Sequence, residues 1–366
     1  MNDSFDLKGF WQENKKCFAP FSVDKPRAPL SIMFDDHFIL HVNPVESTVR
    51  YYSDPAYTIE VNARANDRLE KEIGLRCCPE DGISFIKGAF EIIMGSKRII
   101  GEGNTPWLES PVENIDDVKK IIRSALSWDI KKKPIPEAWL EERDKLKKRC
   151  GKTLYFTHGM NGPATIACNM IGTTNLCSFM MDEQEVMDEF FAVIAEKYIE
   201  YYETVLLLDH MTVNYDGLGI NDDNCYIFPP KLYERFCAPF VKKCFDKFAP
   251  LPHHKRRQHS DSHMPHLMGI LNDLGVNEVN FGPQIHPLDI RKALPKAVIC
   301  GQVPPFVLRN GTNEDVVSYV KRDFEAVGAD GGLVECLAGV IAESTPYQQI
   351  RNYMHAVHTI TRYGNN

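Results

Sequence analysis

The stretch Gln258-His259-Ser260-Asp261-Ser262-His263, taken with Gly331-Gly332-Leu333-Val334-Glu335-Cys336, decides how this chain is read. In both, a run patterned as a buried strand ends in side chains that can bind a metal or move a proton. In a barrel of parallel strands, such ends face the active site. The same rhythm recurs on either side. Runs 256–260, 277–281, 297–301 and 332–336 read as strands, the last three ending at Gly282-Pro283, Gly301-Gln302 and Glu335-Cys336. Upstream, a strand-like run 212–218 ends in Asp216-Gly217-Leu218-Gly219 with Asp222-Asp223 just beyond it. The run 153–157 ends at His158-Gly159, and 29–34 ends at Asp35-Asp36. A weaker second strand is expected over 75–78.

Helical patterns alternate with these runs. Asp54-Pro55 opens a helix through Lys71, with Asp as cap and Pro in the first turn. Others are expected over 115–127, 136–149, 183–208 and 230–248. The 183–208 segment carries Val186, Met187, Phe190, Phe191 and Ile194 on one face, a core stripe. Thr345-Pro346 with Gln348 offers a cap, a first-turn proline and a capping-box partner together. The count comes to about eight β-α units, which predicts an α/β chain folded as a (β/α)8 TIM barrel. We expect one domain over 1–366, with a helical extension over 1–28. An open doubly wound sheet would show a Gly-rich phosphate turn after its first strand, and none is present.

The 366 residues are 43% hydrophobic and 25% charged, a balance that supports a sizeable core. The formal charge of −8 disfavours a nucleic-acid binder, which needs a basic field. Lys131-Lys132-Lys133-Pro134 reads as a solvated turn between helices. Apolar runs such as Val205-Leu206-Leu207-Leu208 are too short to span a bilayer, and the acidic N-terminus has no apolar signal core. A cytoplasmic protein is expected. Its eleven cysteines are scattered; Cys168, Cys177, Cys237, Cys244 and Cys300 sit in apolar runs as reduced, buried fillers.

Six of the twelve histidines fall between 253 and 286. His253-His254 read as exposed and incidental, and His263 and His266 as part of a following helical turn. His259 and Asp261 differ, because a spacing of two in extended chain puts both side chains on one face. Such a pair binds a divalent ion or forms a base with its orienting partner; the bland alternative is a hydrogen-bonded pair at the barrel rim. Cys336 reads either as core or as the third donor of an N, O, S metal set. Glu335 alternates with it, so one of the two faces the interior and the other the helices. Asp35, Asp36, His158, Asp216, Asp222 and Asp223 stand at or just after strand ends, as acids, bases, anchors or helix caps.

Asp222-Asp223 followed by Phe228-Pro229-Pro230-Lys231-Leu232-Tyr233-Glu234-Arg235-Phe236 and Pro239 resembles the acidic loop and "SPELY…F…P" helix of the uroporphyrinogen decarboxylase superfamily. His259-Ser260-Asp261, Leu267-Met268 and Cys300-Gly301-Gln302-Val303-Pro304-Pro305, then Gly331-Gly332 and Thr345-Pro346, follow in the family's order. Asn161-Gly162-Pro163 with Met180-Met181-Asp182 is similar to its "GP" segment. The resemblance spans roughly 30–360 and implies a single (β/α)8 barrel. True decarboxylases of the family carry an Arg-rich segment that grips the propionates of a porphyrinogen. Here Ile32-Met33-Phe34-Asp35-Asp36-His37 is acidic and would repel them. The chain looks more like the cobalamin-dependent methyltransferase branch, where an HxC motif and a later Cys hold zinc. His259 fits the first ligand, Asp261 stands in place of the Cys, and the later Cys aligns near Gly339, three residues beyond Cys336.

The resemblance therefore implies a methyltransferase acting between a small substrate and a corrinoid on a partner protein. Zinc would be held by His259, Asp261 and Cys336. Asp222, Asp223 and His158 would position substrate or move a proton. No "DxHxxG" cobalamin motif is visible, so the corrinoid comes from the partner. Two rival readings are a metal-independent decarboxylase or lyase on a small carboxylate, and a barrel that binds a tetrapyrrole or corrinoid without turnover.

Overall fold

Among the described residues, ten short strands form: β1 (Gly82–Ser84), β2 (Lys97–Ile99), β3 (Trp107–Glu109), β4 (Thr153–Tyr155), β5 (Met160–Asn161), β6 (Gly217–Asn221), β7 (Lys255–Ser260), β8 (Glu278–Phe281), β9 (Val298–Cys300) and β10 (Leu333–Val334). The structure is a computed structural model describing residues 5–84, 86–157, 159–212 and 216–364. Strands β5 to β10 lie side by side in the order β10-β9-β8-β7-β6-β5, each pairing with its neighbour in parallel. β4 and β5 follow one another on a single stretch of chain, and β1 pairs with β4 in parallel. Beyond β10, parallel bridges Leu30↔Glu335 and Phe34↔Ile341 add the run through 30–34. These courses, with helices between them, make a (β/α)8 barrel. β2 and β3 form an antiparallel hairpin outside the sequence of barrel strands.

The expected helices form, two of them opened by side-chain caps. Asp54 accepts from Ala56 and Tyr57 N–H and opens Pro55–Ile73, which ends at Gly74 with φ 71°. Asn114 and Asp117 make a capping box for Ile115–Ser127. Gln184–Leu208 buries Met187, Phe190, Phe191 and Ile194, as the stripe requires. The long helix from Pro230 to Phe248 passes through a π segment, Tyr233–Cys237. Pro239, just beyond, has no N–H for the preceding turn, and the helix widens there. The N-terminal segment carries the helix Leu7–Lys15.

Several local expectations fail for identifiable reasons. The second barrel strand is β1, not 75–78. The N–H groups of Cys77 and Cys78 both donate to Asn66 Oδ1, which takes the donors a ladder needs. The fourth strand runs Gly217–Asn221 instead of ending near 218, because Leu218 and Ile220 are its buried positions; 213–215 lie outside the described residues. Asp216 consequently sits at the strand's start, paired to Lys255 Nζ at 2.8 Å and away from the strand tips. Thr345 donates its hydroxyl to Ala342 O, and the helix Tyr347–Ile360 begins without a side-chain cap. Cys177 is exposed, while His254 is buried with its Nδ1 accepting from Leu251 N–H at 3.4 Å. All eleven cysteines are free. Among the described residues, no helix is long and apolar enough to cross a membrane.

Candidate functional site

The register of three neighbouring strands builds the site. β6 sets Asn221 opposite His259, and β7 sets His259 opposite Asn280 of β8. All three residues lie near the C-terminal ends of their strands, the face on which barrel enzymes work. Asn280 is fully buried, and its Nδ2 donates to Cys300 O at 2.6 Å and Leu337 O at 3.0 Å. Those two carbonyls fix the amide so that Oδ1 faces His259 Nδ1, 2.8 Å away. An amide oxygen only accepts, so Nδ1 carries the proton and donates. In the neutral imidazole, Nε2 then holds a free lone pair.

That Nε2 faces Asp261 Oδ1 at 3.5 Å. Asp223 joins from the turn after β6, its Oδ1 accepting from Asp261 N–H at 2.8 Å. One ligand atom from each of Asp223, His259 and Asp261 lies within 4.8 Å of the others. His259 is mostly buried, with 17% of its side chain exposed, while the two carboxylates reach solvent. Burial raises the Asp261 carboxyl above its usual range, the His259 ring opposes this, and Asp223 adds to it. One nitrogen and two carboxylates at this spacing suit a divalent cation with hard or borderline preference. The imidazole is already oriented by a neighbour, as metal-binding histidines are.

Gly339 completes the picture. With φ 114°, it comes so close that an added Cβ would lie 3.2 Å from Asp261 Oδ1. The position where the resemblance puts a second Cys thus has no side chain, and the Asp261 carboxylate fills the space. Cys336 is not part of the three-residue group. It is buried with Val298, Cys300, Met33 and Val334, and burial pushes its thiol up to about 12. Glu335 faces the other way, toward Tyr353 and Asp323 of the surrounding helices, and burial raises its carboxyl well above the usual range.

The adjacent acids Asp222 and Asp223 separate in role. Asp222 is fully buried and accepts from Thr165 N–H at 2.8 Å, Thr165 Oγ1 at 2.9 Å and Ala164 N–H at 3.4 Å. It therefore caps the helix Pro163–Ile171 from another part of the chain. Gly162 is required beside it, since a Cβ there would lie 2.3 Å from Asp222 Cγ. Desolvation raises Asp222 to about 7 against those hydrogen bonds. His158 lies outside the described residues. Asp35 caps the helix Asp36–Val42, and His266 meets Phe228 O at 3.1 Å.

A cavity of about 970 Å³ opens between the run through 30–34 and β1, and none of Asp223, His259 and Asp261 lines it. Phe34, Tyr51, Tyr52, Trp107 and Tyr155 line it, and Val340 brings its wall next to Gly339. Asp36 projects there with Lys87 Nζ at 3.3 Å and the Tyr51 hydroxyl at 3.3 Å. Asn280 and this aromatic wall escaped the sequence reading. The signal for Asn280 was available: an amide between Val279 and Phe281 in an apolar strand.

A family model described as Uroporphyrinogen decarboxylase (URO-D) matches residues 91–360. A solved structure described as a methyltransferase from Methanosarcina mazei superposes with a TM-score of 0.62 at 16% identity. The match covers 97% of this chain and 98% of that one. At that identity it speaks for the fold. No curated protein matches the chain in sequence.

Proposed function

This chain belongs to the uroporphyrinogen decarboxylase family, and on that premise we propose that it is a methyltransferase exchanging a methyl group between a small substrate and a corrinoid brought by a separate protein. The observation that carries the reading is the oriented Asp223, His259 and Asp261 group at the strand ends. The structural likeness to a methyltransferase from Methanosarcina mazei supports it at the level of the barrel. The acidic Asp35-Asp36 segment supports a substrate other than a polyanionic porphyrinogen.

Methyl transfer to or from a corrinoid is an in-line displacement, so the barrier falls when the heteroatom is held in line and its developing charge is stabilised. Asp223, His259 and Asp261 would hold a divalent cation, zinc in the first instance, which acts as a Lewis acid on an oxygen or nitrogen of the substrate. Asn280 keeps the His259 lone pair directed into the group. Asp261 N–H fixes Asp223. The donor set lacks thiolate, which favours an oxygen or nitrogen partner over a thiol.

The test is elemental analysis of freshly purified protein with a methyl-transfer assay against free methylcobalamin. About one equivalent of metal, lost together with transfer in His259→Ala, is the expected result. A metal-free protein that releases CO₂ from a small carboxylate would replace this reading with the decarboxylase one.

A further inference from the structure

His259 shares its register row with three amides. Asn161 of β5 lies opposite Asn221 of β6, Asn221 opposite His259, and His259 opposite Asn280. Neighbours in one row of a parallel sheet project from the same face. Two of the three amides are spent on the protein. Asn280 is held by Cys300 O and Leu337 O and turned to His259, while Asn161 Nδ2 donates to Oε1 of the buried Glu91 at 3.0 Å. Asn221 is different. It is exposed, and its side chain makes no hydrogen bond among the described residues.

The pairing of β6 with β7 continues past Asn221. Asp222 N–H donates to His259 O at 2.9 Å, which sets Asp222 opposite Ser260 and Asp223 opposite Asp261. Asp222 and Ser260 are both 0% exposed. By alternation, Asn221 and Asp223 therefore face the same way as His259 and Asp261. The four side chains stand at the corners of a square. Three of those corners form the group whose ligand atoms lie within 4.8 Å of one another, and Asn221 is the fourth. A Cβ at Gly159 would lie 3.1 Å from Asn221 Nδ2. The amide nitrogen thus leans toward β5, and Oδ1 is the branch turned away from it. A second cavity, of about 300 Å³, opens against Gly159 and Asn221 and gives the amide room to turn.

We propose that Asn221 is a fourth protein ligand of the cation, bound through its amide oxygen. This rests on the metal group of the function proposed above and goes beyond its three donors. The set is then one nitrogen, two carboxylate oxygens and one uncharged oxygen, and carbonyl oxygens suit hard ions such as Ca²⁺ and Mn²⁺. Four protein donors complete a zinc tetrahedron, so substrate reaches zinc only as a fifth ligand. A six-coordinate ion such as Mn²⁺ keeps two positions open for it.

The experiment is titration of the full-length, metal-free protein with MnCl₂, the free ion being counted by its electron paramagnetic resonance signal. Wild type takes up about one equivalent and His259→Ala takes up none, the loss expected when an oriented ligand is removed. Asn221→Ala weakens Mn²⁺ at least about tenfold, the low end of what removing even an outer partner of a metal site costs. Asn221→Asp binds at least as tightly as wild type, because it puts a charged oxygen in the same place. A purely structural amide would not be rescued in that way. A wild-type crystal grown in MnCl₂ shows the ion, located by its anomalous signal, bonded to Asn221 Oδ1, an arm that needs no variant. Absence of Mn²⁺ uptake by wild type, equal affinity in Asn221→Ala, weaker binding by Asn221→Asp, or a water between Oδ1 and the ion each overturns the proposal. None of these readouts involves turnover, and the metal content of the purified protein is measured separately. The methyltransferase reading therefore stands or falls on its own.

Discussion

At the residue scale, His259 and Asp261 were legible because a spacing of two at a strand end has one geometric meaning. The rest of the group was not. Nothing in the sequence says that Asp223, distant in the chain, accepts from Asp261 N–H, or that Gly339 leaves room for the carboxylate. Cys336 looked equivalent as a donor, yet alternation along its strand sets it among Val298, Cys300 and Val334. Orientation by Asn280 is the most exposed claim. Asn280→Ala should keep the fold and lower affinity for zinc by about 10–100-fold, the usual loss when a partner orienting a metal-bound histidine is removed. Competition with a chromophoric chelator measures it, and unchanged affinity would refute the orienting role. Glu91 supplies a second test, in stability. Its folded carboxyl titrates above the unfolded one, so the native state retains a proton that the unfolded state has released. The stabilisation is complete below the unfolded value and is lost as pH rises through the folded one. Urea midpoints of the wild type should therefore fall over that window more steeply than those of Glu91→Gln. Glu335 contributes the same sign in both proteins and cancels in the comparison.

Elements were read best where caps and periodicity agree. Asp54-Pro55 and the Met187 to Ile194 stripe each predicted a helix that forms. β1 was missed because three residues carry too little alternation to register. The helix Pro163–Ile171 shows why the adjacent acids looked alike. It has no side-chain cap from its own N-cap residue, Gly162, and borrows Asp222 from beyond β6. Asp222→Ala should then cost about 1–2 kcal/mol, as loss of a helix cap does, and lower the melting temperature. Asp223→Ala should leave the melting temperature of the metal-free protein nearly unchanged and abolish metal binding. Thermal melts and metal titration of the two variants separate structural from functional acid; matching behaviour would mean that the division of roles is wrong.

Across the whole molecule, the N-terminal helix joins the barrel at the run through 30–34. In the run through 30–34, Ser31 N–H donates to Glu335 O and Glu335 N–H to Pro29 O, so Leu30 presents its own N–H and C=O on the opposite side. No neighbouring strand pairs with them there among the described residues. Instead Asn14 Oδ1 accepts from Leu30 N–H at 2.8 Å and Asn14 Nδ2 donates to Leu30 O at 2.8 Å, taking a strand's place with one amide. The same Oδ1 accepts from Arg27 Nη1 at 3.0 Å, and Arg27 is fully buried over Phe10 with Glu13 at 3.2 Å. Glu13 also binds Arg362, so the two ends of the chain lock together. Asn14→Ala would strand two backbone groups of Leu30 and one guanidinium bond inside the protein. The expected loss is about 2–4 kcal/mol, since each unsatisfied buried group costs about 1–3. Urea unfolding, followed by circular dichroism and by tryptophan fluorescence in a background with Trp107, Trp128 and Trp139 changed to Phe so that Trp11 alone reports, should show one transition at a lower midpoint for both probes. If the helix were an independent appendage, the Trp11 signal would melt first and the circular dichroism midpoint would not move. The contacts of Asn14 argue for the first outcome, because an amide in the last turn of the helix is also the partner of the barrel's first strand.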